Sequence, residues 1–416
     1  MGIKIPKDEL SSLISNLAEN GIQADRNHLI EDIGAQFADH REWIREYVVN
    51  AYDAGATWCR ISGKQTDDTI TIYVDDNGHG MDEQGVKDFM TLFKSVKKGE
   101  PARTIGRFGV GKASILAIPD LTGLALQTST GSESWLLEVG SLVDGGPVTM
   151  KQFAPSPPQG TRFSVSYRVS GPNSLPAELK QLGDVLWKYV RLLPMSITVH
   201  VEDIDHQTGK RVVALRSINS DLANDAEYFT KRYSVTIGRS EYRIMLSVGE
   251  PLHEVYQNNV LITQRYNLHS YDLRRSRQKQ MIPYLRIRVD SADFELPFGR
   301  HCLRNEDVLK DVSVYIREKL LPDYFETFSY VYKTAQPGDE LEVPLANVED
   351  MVCGLIRIIN KGAYSWLRFP VFSTTDGKKL SFMDLKQAVS GSGKIYFEDR
   401  KNLGVDYSVF EGPVFT

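Results

Sequence analysis

The chain has 416 residues, of which 41% are hydrophobic and 25% are charged, a composition typical of a soluble globular protein. A single hydrophobic core rarely grows beyond about 250–300 residues, so the length predicts two or three domains. The 49 basic and 54 acidic residues give a net charge of −5, which argues against a global positive field that would draw the chain to nucleic acid or to an acidic membrane. The three widely separated cysteines argue against a disulfide framework or a zinc site.

The sequence lacks the apolar run of ~18 residues that a membrane span needs. Its first residues do not have the charged-then-apolar pattern of a signal peptide. Pro6 occupies the position where an N-myristoylation signal requires serine or threonine. We therefore expect a soluble, cytoplasmic protein that does not bind a membrane.

The first half of the chain alternates between helix and strand patterns. Residues 41–54 have a helical period and end at Gly55, a residue typical of helix termini. A further helix is expected after Asp82 and another at roughly 176–193. Strands are predicted at 57–62, 69–75, 123–128, 134–139, 161–167 and 196–201.

The second half has fewer clear patterns. It contains a predicted strand at 284–289 and helices at 305–330. Further on, a helix near 345–360, a strand at 366–372, a helix at 381–389 and a strand at 394–397 are predicted. The expected organisation is a first domain at 1–205, a linker at 206–230, a second domain at 231–336, and a small α/β segment at 337–416.

Three polar residues share a face of the first predicted helix. Glu46 and Asn50 are four residues apart, and Asp53 follows one turn later. An amide oxygen can ligate Mg²⁺, and a carboxylate can orient and deprotonate an attacking water. The pair therefore suits ATP hydrolysis, although taken alone it is more typical of a solvated helix face.

A second motif, Asp76-Asn77-Gly78-His79-Gly80, follows a strand of alternating isoleucine and valine. Glycine lets the backbone approach a flat ligand closely. A carboxylate at the strand end can accept from the exocyclic amino group of adenine, which guanine lacks at that position. The alternative is an ordinary β-turn, since Asp-Asn-Gly is a common turn sequence.

A third motif is the glycine loop Gly106-Arg-Phe-Gly109-Val-Gly111-Lys112. Three close glycines before a helix can bind phosphates through backbone N–H groups, and Lys112 either adds a cation or is an exposed lysine. The loop nearly matches a Walker A motif, but Ala113 replaces the required hydroxyl residue, so we reject a P-loop.

In this order, and with Gly160-Thr161 after them, these motifs resemble those of the GHKL ATPases: gyrase B, histidine kinases, MutL and the ninety-kilodalton heat-shock chaperone. The resemblance implies an α+β fold, in which a Bergerat-type helix–sheet sandwich binds ATP and Mg²⁺ and is followed by α/β middle, transducer-like domains. It implies Glu46 as general base, Asn50 as Mg²⁺ ligand, Asp76 as the adenine-reading carboxylate and Thr161 as a holder of the adenine water. Residues 90–105 would form a lid, with Lys94 near the phosphates.

The residues predicted to bind the nucleotide are Asn50, Asp53, Ala54, Asp76, Gly78, Gly80, Met81, Lys94, Gly106, Phe108, Gly109, Val110, Gly111, Lys112 and Thr161. Residues 284–300 are similar to the chaperone's middle-domain strand and the segment after it. This similarity places Arg300 on the catalytic arginine that reaches the γ-phosphate, where a fixed positive fork can neutralise developing charge.

The resemblance therefore implies a chaperone-like ATPase that closes on a protein client, with an ATP-dependent homodimer as a possible assembly. Asn50 to Thr57 is similar to MutL instead, and a MutL-like or MORC-like ATP-gated DNA clamp is the alternative. The cations Arg274, Arg275, Arg277 and Lys279 fit either a solvated loop or a phosphate-backbone contact of such a clamp.

Overall fold

The structure is a computed structural model of the chain. It describes residues 39–90, 114–115, 117–140, 148–154, 158–171, 174–204, 211–219, 228–264, 268, 282, 284–296, 302–326, 351, 370–373, 378–392, 396–397 and 414–415. The chain divides into two compact units, Met1–Ala223 and Asn224–Thr416. This division lies inside the predicted linker, and the finer domain boundaries stay predictions.

The described part of the first unit contains one mixed sheet of eight strands. The strands are β1 (Trp58–Thr66), β2 (Thr69–Asp76), β3 (Leu121–Ser129), β4 (Ser134–Val139), β5 (Val148–Phe153), β6 (Gly160–Arg168), β7 (Ser196–Ile204) and β8 (Arg211–Ser217). Their order across the sheet is β5-β4-β3-β6-β2-β1-β7-β8. Neighbouring strands are antiparallel except for β1 and β7, which are parallel.

Helices pack against this sheet. They are α1 (Trp43–Asp53), α2 (Glu83–Met90) and α3 (Leu175–Val190), and a 3₁₀ turn at His40–Glu42 precedes α1. Helix α1 packs against α3 and β2, and α3 also packs against β1 and β7. Tyr189 of α3 donates to Glu42 Oε1 at 2.6 Å, so a buried hydrogen bond joins α3 to the 3₁₀ turn before α1.

The core of this unit follows from the alternation of side chains along the strands. Ile70, Ile72 and Val74 on β2 are buried, and they share the core with Cys59 and Ile61 on β1. Residues between them face the other side of the sheet. The inward side chains therefore bury apolar surface under α1 and α3, which is the main stabilising contribution of this arrangement.

The second unit contains a five-stranded sheet among its described residues, in the order β12-β11-β13-β10-β9. These strands are β9 (Tyr228–Ile237), β10 (Ser240–Val248), β11 (His253–Gln257), β12 (Val260–Thr263) and β13 (Leu285–Asp290). Helix α4 (Val308–Tyr315), which continues as a π-helical turn at Ile316–Leu320, contributes to the same apolar core.

The last described elements are β14 (Pro370–Ser373), β15 (Lys379–Ser381), α5 (Phe382–Ser392), β16 (Tyr396–Phe397) and β17 (Val414–Phe415). Strands β14 and β15 pair antiparallel, and β16 and β17 pair parallel. Among the described residues, no helix is both long and apolar enough to cross a membrane.

The mixed sheets and helices confirm the predicted α+β class. The helix predicted at 41–54 is observed at Trp43–Asp53, and the strand predicted at 69–75 at Thr69–Asp76. Residues 211–217 fall within the predicted linker, and here they form the strand β8 paired with β7. Most of the helix predicted near 345–360 lies outside the described residues.

Candidate functional site

A cavity of about 430 Å³ in the first unit is lined by residues of α1, α2 and the central strands. The residues predicted to bind nucleotide that line it are Asn50, Asp53, Ala54, Asp76, Gly80, Met81 and Thr161. The structure thus brings the Asn50 helix, the Asp76 motif and Thr161 together around one cavity. What they bind stays a prediction.

Asp76 lies at the end of β2, between Cys59 on β1 and Thr161 on β6 in the sheet register. Its Oδ1 accepts from the backbone N–H of Gly78 at 2.8 Å. Burial raises the pKa of Asp76 from 3.8 to about 6, although backbone hydrogen bonds from Gly78 and Thr161 oppose the shift. At neutral pH the site therefore presents an ionised, partly desolvated acceptor.

Thr161 belongs to a network of hydroxyls beside this carboxylate. Its Oγ1 lies 3.1 Å from Oγ1 of Thr128 on β3, which also accepts from the backbone N–H of Met81 at 2.9 Å. The hydroxyls can both donate and accept, so this network can orient a water or a ligand. Thr128 was missed from the sequence, although its place opposite Thr161 across β3 and β6 follows from the register.

The glycines of the Asp76 motif allow backbone segments to pack closely. A side chain on Gly80, at φ +69°, would place its Cβ 2.0 Å from the carbonyl oxygen of Ser129, and one on Gly78 would place its Cβ 2.8 Å from Cβ of Ala54. Gly80 lines the cavity. Gly78 does not occur among the described lining residues; it packs closely on Ala54 at the end of α1, and its contact with nucleotide stays a prediction.

Asn77, which precedes both glycines, joins the start of β1 to the end of β2. Its Oδ1 accepts from the backbone N–H groups of Thr57 at 2.9 Å and Trp58 at 3.0 Å, and its Nδ2 donates to the Thr57 hydroxyl at 2.8 Å. The sequence indicated only a turn residue here. The side chain instead fixes the position of the motif relative to the start of β1.

Aromatic side chains form another wall of the cavity. Tyr47 of α1 stacks on Phe163 of β6 with ring centroids 3.9 Å apart, and Phe89 of α2 meets both rings edge to face. All three line the cavity. They create an apolar surface beside Asp76, as planar heterocyclic ligands require. Neither Tyr47 nor Phe89 is among the residues predicted to bind the nucleotide.

Glu46, the predicted general base, is buried beside Arg45. Arg45 Nε donates to Glu46 Oε1 at 3.1 Å, and both side chains are almost inaccessible to solvent. The guanidinium also lies 4.7 Å from the ring centroid of Tyr189. Glu46 does not occur among the described residues that line the cavity, whereas Asn50, one turn later, does. In this conformation the carboxylate is held in a buried ion pair.

Several predicted residues lie outside the described part of the chain. They are Lys94, Gly106, Phe108, Gly109, Val110, Gly111, Lys112 and Arg300, together with the four cations at 274–279. Their assignments remain predictions.

Comparison with known proteins supports a superfamily for the unit that carries the cavity. Residues 41–137 match the family described as histidine kinase-, DNA gyrase B-, and HSP90-like ATPase. This span includes α1, β2 and the Asp76 motif, and it supports a GHKL-type ATPase domain here. A comparison with curated proteins finds no match to the chain.

Proposed function

We propose that the chain binds ATP in this cavity and hydrolyses it. The observation that carries the proposal is the ionisable carboxylate of Asp76, which lines the cavity together with Thr161 and Asn50. A half-buried acceptor beside hydroxyls and an aromatic wall suits one edge of a purine. The family match in this region, whose members generally hydrolyse ATP, supports the same reading.

Asp76 supplies the preference for adenine. Above its pKa of about 6 the carboxylate only accepts, so it pairs with an exocyclic amino group and repels the carbonyl oxygen that guanine carries there. A hydrogen bond to a charged group contributes about 1.5–3 kcal/mol, which corresponds to about tenfold to a hundredfold in affinity.

Asn50 is the proposed protein ligand of Mg²⁺. Its side chain lines the cavity one helical turn beyond Glu46, and its amide oxygen is the hard, neutral donor that Mg²⁺ accepts beside phosphate and water oxygens. The bound cation would neutralise phosphate charge during transfer. Asn50 would therefore position the phosphate end of the nucleotide.

Glu46 is the proposed general base. Water attacks the γ-phosphorus, the bond to the β–γ bridging oxygen breaks, and the water proton passes to the carboxylate as ADP and phosphate form. Arg45 holds Oε1 of Glu46 in an ion pair at 3.1 Å. To take the proton, the carboxylate must therefore break this ion pair or accept the proton on its other oxygen. We propose Arg300 as the cation at the γ-phosphate, on the strength of its sequence similarity alone.

The proposed output is closure on a protein client, as in the ninety-kilodalton heat-shock chaperone. In this version residues 90–105 would cover the nucleotide as a lid, and Arg300 would act at the γ-phosphate. The similarity of 284–300 to the chaperone's middle domain supports this version. Suppression of client aggregation by the ATP-bound protein would support it, whereas ATPase stimulation by DNA with a steep salt dependence would support the clamp.

Nucleotide binding and single-turnover hydrolysis test the site. Wild type, Asp76→Asn, Glu46→Ala and the control Asp184→Asn, an exposed carboxylate on α3, would be titrated with a fluorescent ATP analogue and then mixed with radiolabelled ATP. We expect Asp76→Asn to bind at least about tenfold more weakly, and Glu46→Ala to bind normally but lose turnover by about 10²-fold or more. Equal affinity of wild type and Asp76→Asn would refute the site.

A further inference from the structure

The outward face of the sheet in the first unit carries a cluster that the nucleotide site does not use. We call it the arginine patch, and it consists of Trp58, Arg60, Tyr73, Asp75 and Arg162. Its members alternate along β1, β2 and β6 with inward residues of the core and the cavity. Because side chains of a strand alternate between faces, the patch and the cavity lie on opposite sides of the same strands.

One carboxylate joins the two arginines. Arg60, Asp75 and Arg162 are direct neighbours across β1, β2 and β6. Arg162 Nε donates to Asp75 Oδ1 at 2.5 Å, and its Nη2 donates to Oδ2 at 3.3 Å, while Arg60 Nη2 donates to Oδ2 at 3.2 Å. Two fixed positive charges thus share one negative charge, and the three residues carry an excess of one positive charge.

Both guanidinium groups remain accessible despite these bonds. The side chain of Arg60 is 42% exposed and that of Arg162 is 51% exposed, while Asp75 is 8% exposed. A guanidinium has five N–H donors in a fixed fork, so each arginine retains donors that Asp75 does not use. Asp75 therefore fixes the positions of the two guanidinium groups, whose remaining N–H groups can donate to a bound ligand.

Aromatic rings flank the two arginines. Arg60 lies 5.8 Å from the ring centroid of Trp58, and Arg162 lies 5.7 Å from that of Tyr73. Trp58 itself is 40% exposed, which is unusual for so large an apolar side chain. Further along the same face, Leu215 of β8 is 64% exposed and pairs with His200 of β7, two residues beyond Thr198, the β7 neighbour of Arg60.

We propose that the arginine patch is a docking surface for a segment of a partner protein that carries acidic side chains next to apolar ones. Arginine, tryptophan and tyrosine are the residues enriched at the energetic centres of protein interfaces. Paired arginine forks match carboxylates in a bidentate geometry. The exposed Trp58 and Leu215 provide contacts for the neighbouring apolar side chains of the segment.

The composition of the patch favours a protein over a nucleic acid. A phosphate backbone is held by several Lys and Arg side chains along a positive groove. Here the carboxylate of Asp75 lies between the two arginines and would repel a continuous chain of phosphates. A segment that bears carboxylates needs only one or two guanidinium groups to bind, together with the apolar contacts beside them. This inference does not depend on ATP binding.

Fluorescence anisotropy with a short labelled peptide of alternating glutamate and leucine tests the proposal. The comparison probes are a lysine–leucine peptide of equal length and a labelled oligothymidylate. The variants are Arg162→Gln, Arg60→Gln and Trp58→Ala. The control is Arg216→Gln, which replaces a half-buried arginine of β8 that pairs with Asp184 of α3. Each single arginine variant leaves Asp75 one guanidinium partner, so the sheet should stay folded.

We expect the glutamate–leucine peptide to bind wild type and the Arg216→Gln control alike. Each patch variant should bind it about tenfold more weakly, with unchanged urea-unfolding midpoints and unchanged ATP affinity. The proposal is overturned if this peptide binds no better than the lysine–leucine peptide, or if the patch variants match the control. Tighter binding of oligothymidylate than of the peptide, lost in Arg162→Gln, would assign the patch to nucleic acid instead.

Discussion

The carboxyl of Asp76 allows an experiment in which stability and binding change in opposite directions. Its pKa rises on folding from 3.8 to about 6, a difference of about 2 units at about 1.4 kcal/mol each, so ionising it in the folded protein costs about 3 kcal/mol. An amide does not ionise, and its oxygen can still accept from Gly78 N–H, which lies 2.8 Å from Oδ1. We expect Asp76→Asn to raise the free energy of unfolding by about 1–3 kcal/mol near neutral pH.

The pH dependence of this gain identifies its cause. Well below the unfolded pKa of 3.8 the carboxyl is protonated in both the folded and the unfolded chain, so no penalty exists. As pH rises from there through the folded pKa of about 6, the stability that the protonated form contributes is lost. Urea unfolding of wild type and Asp76→Asn, followed by tryptophan fluorescence, should show little difference near pH 4 and the full difference above pH 6, in the range that the pKa of about 6 defines. The exposed Asp184→Asn serves as the control. A gain of equal size at both pH values would refute the reasoning.

Three further measurements test the site and its support. ATP affinity of wild type should fall as pH drops below the Asp76 pKa of about 6, while Asp76→Asn should bind weakly at every pH; calorimetry that showed parallel curves would contradict this. Gly80→Ala, with φ +69° and a backbone clash at 2.0 Å, should destabilise by about 3 kcal/mol or more. The matched Gly131→Ala, at φ +88° in open space, should cost only about 1 kcal/mol, and equal melting shifts would exclude the clash as the cause. Asn77→Ala should lower the free energy of unfolding by about 2 kcal/mol. It should also speed hydrogen exchange at the N–H groups of Thr57 and Trp58, which donate to Asn77 Oδ1 at 2.9 and 3.0 Å.

The elements that the sequence predicted well are those in which local pattern and tertiary burial agree. The alternation of Ile70, Ile72 and Val74 predicts a strand with one apolar face, and all three are buried. The helix of Glu46 and Asn50 ends where Gly55 adopts a positive φ of 75°. Local chemistry fixed these elements, so no knowledge of distant contacts was required.

Other elements depend on contacts that no local pattern contains. Strand β5 is largely exposed at the sheet edge, so its residues show little alternation of apolar and polar side chains. Arg45 and Glu46 are adjacent on α1, and adjacent helical residues ordinarily point about 100° apart; their ion pair needs the surroundings of α3 to hold both side chains inside. The position of Thr128 opposite Thr161 likewise depends on strand register.

The parallel pairing of β1 with β7 bears on the order in which the first unit can assemble. β1 and β2 form a local hairpin, but the second neighbour of β1 is Ser196–Ile204, which follows β2 to β6 and α3 in the chain. Closing so long a loop costs entropy before the contact contributes any stability, and such non-local pairings slow folding. On the ribosome, all residues that line the cavity therefore emerge before β7 can pair with β1, and α1 gains its packing against α3 only after they have been made.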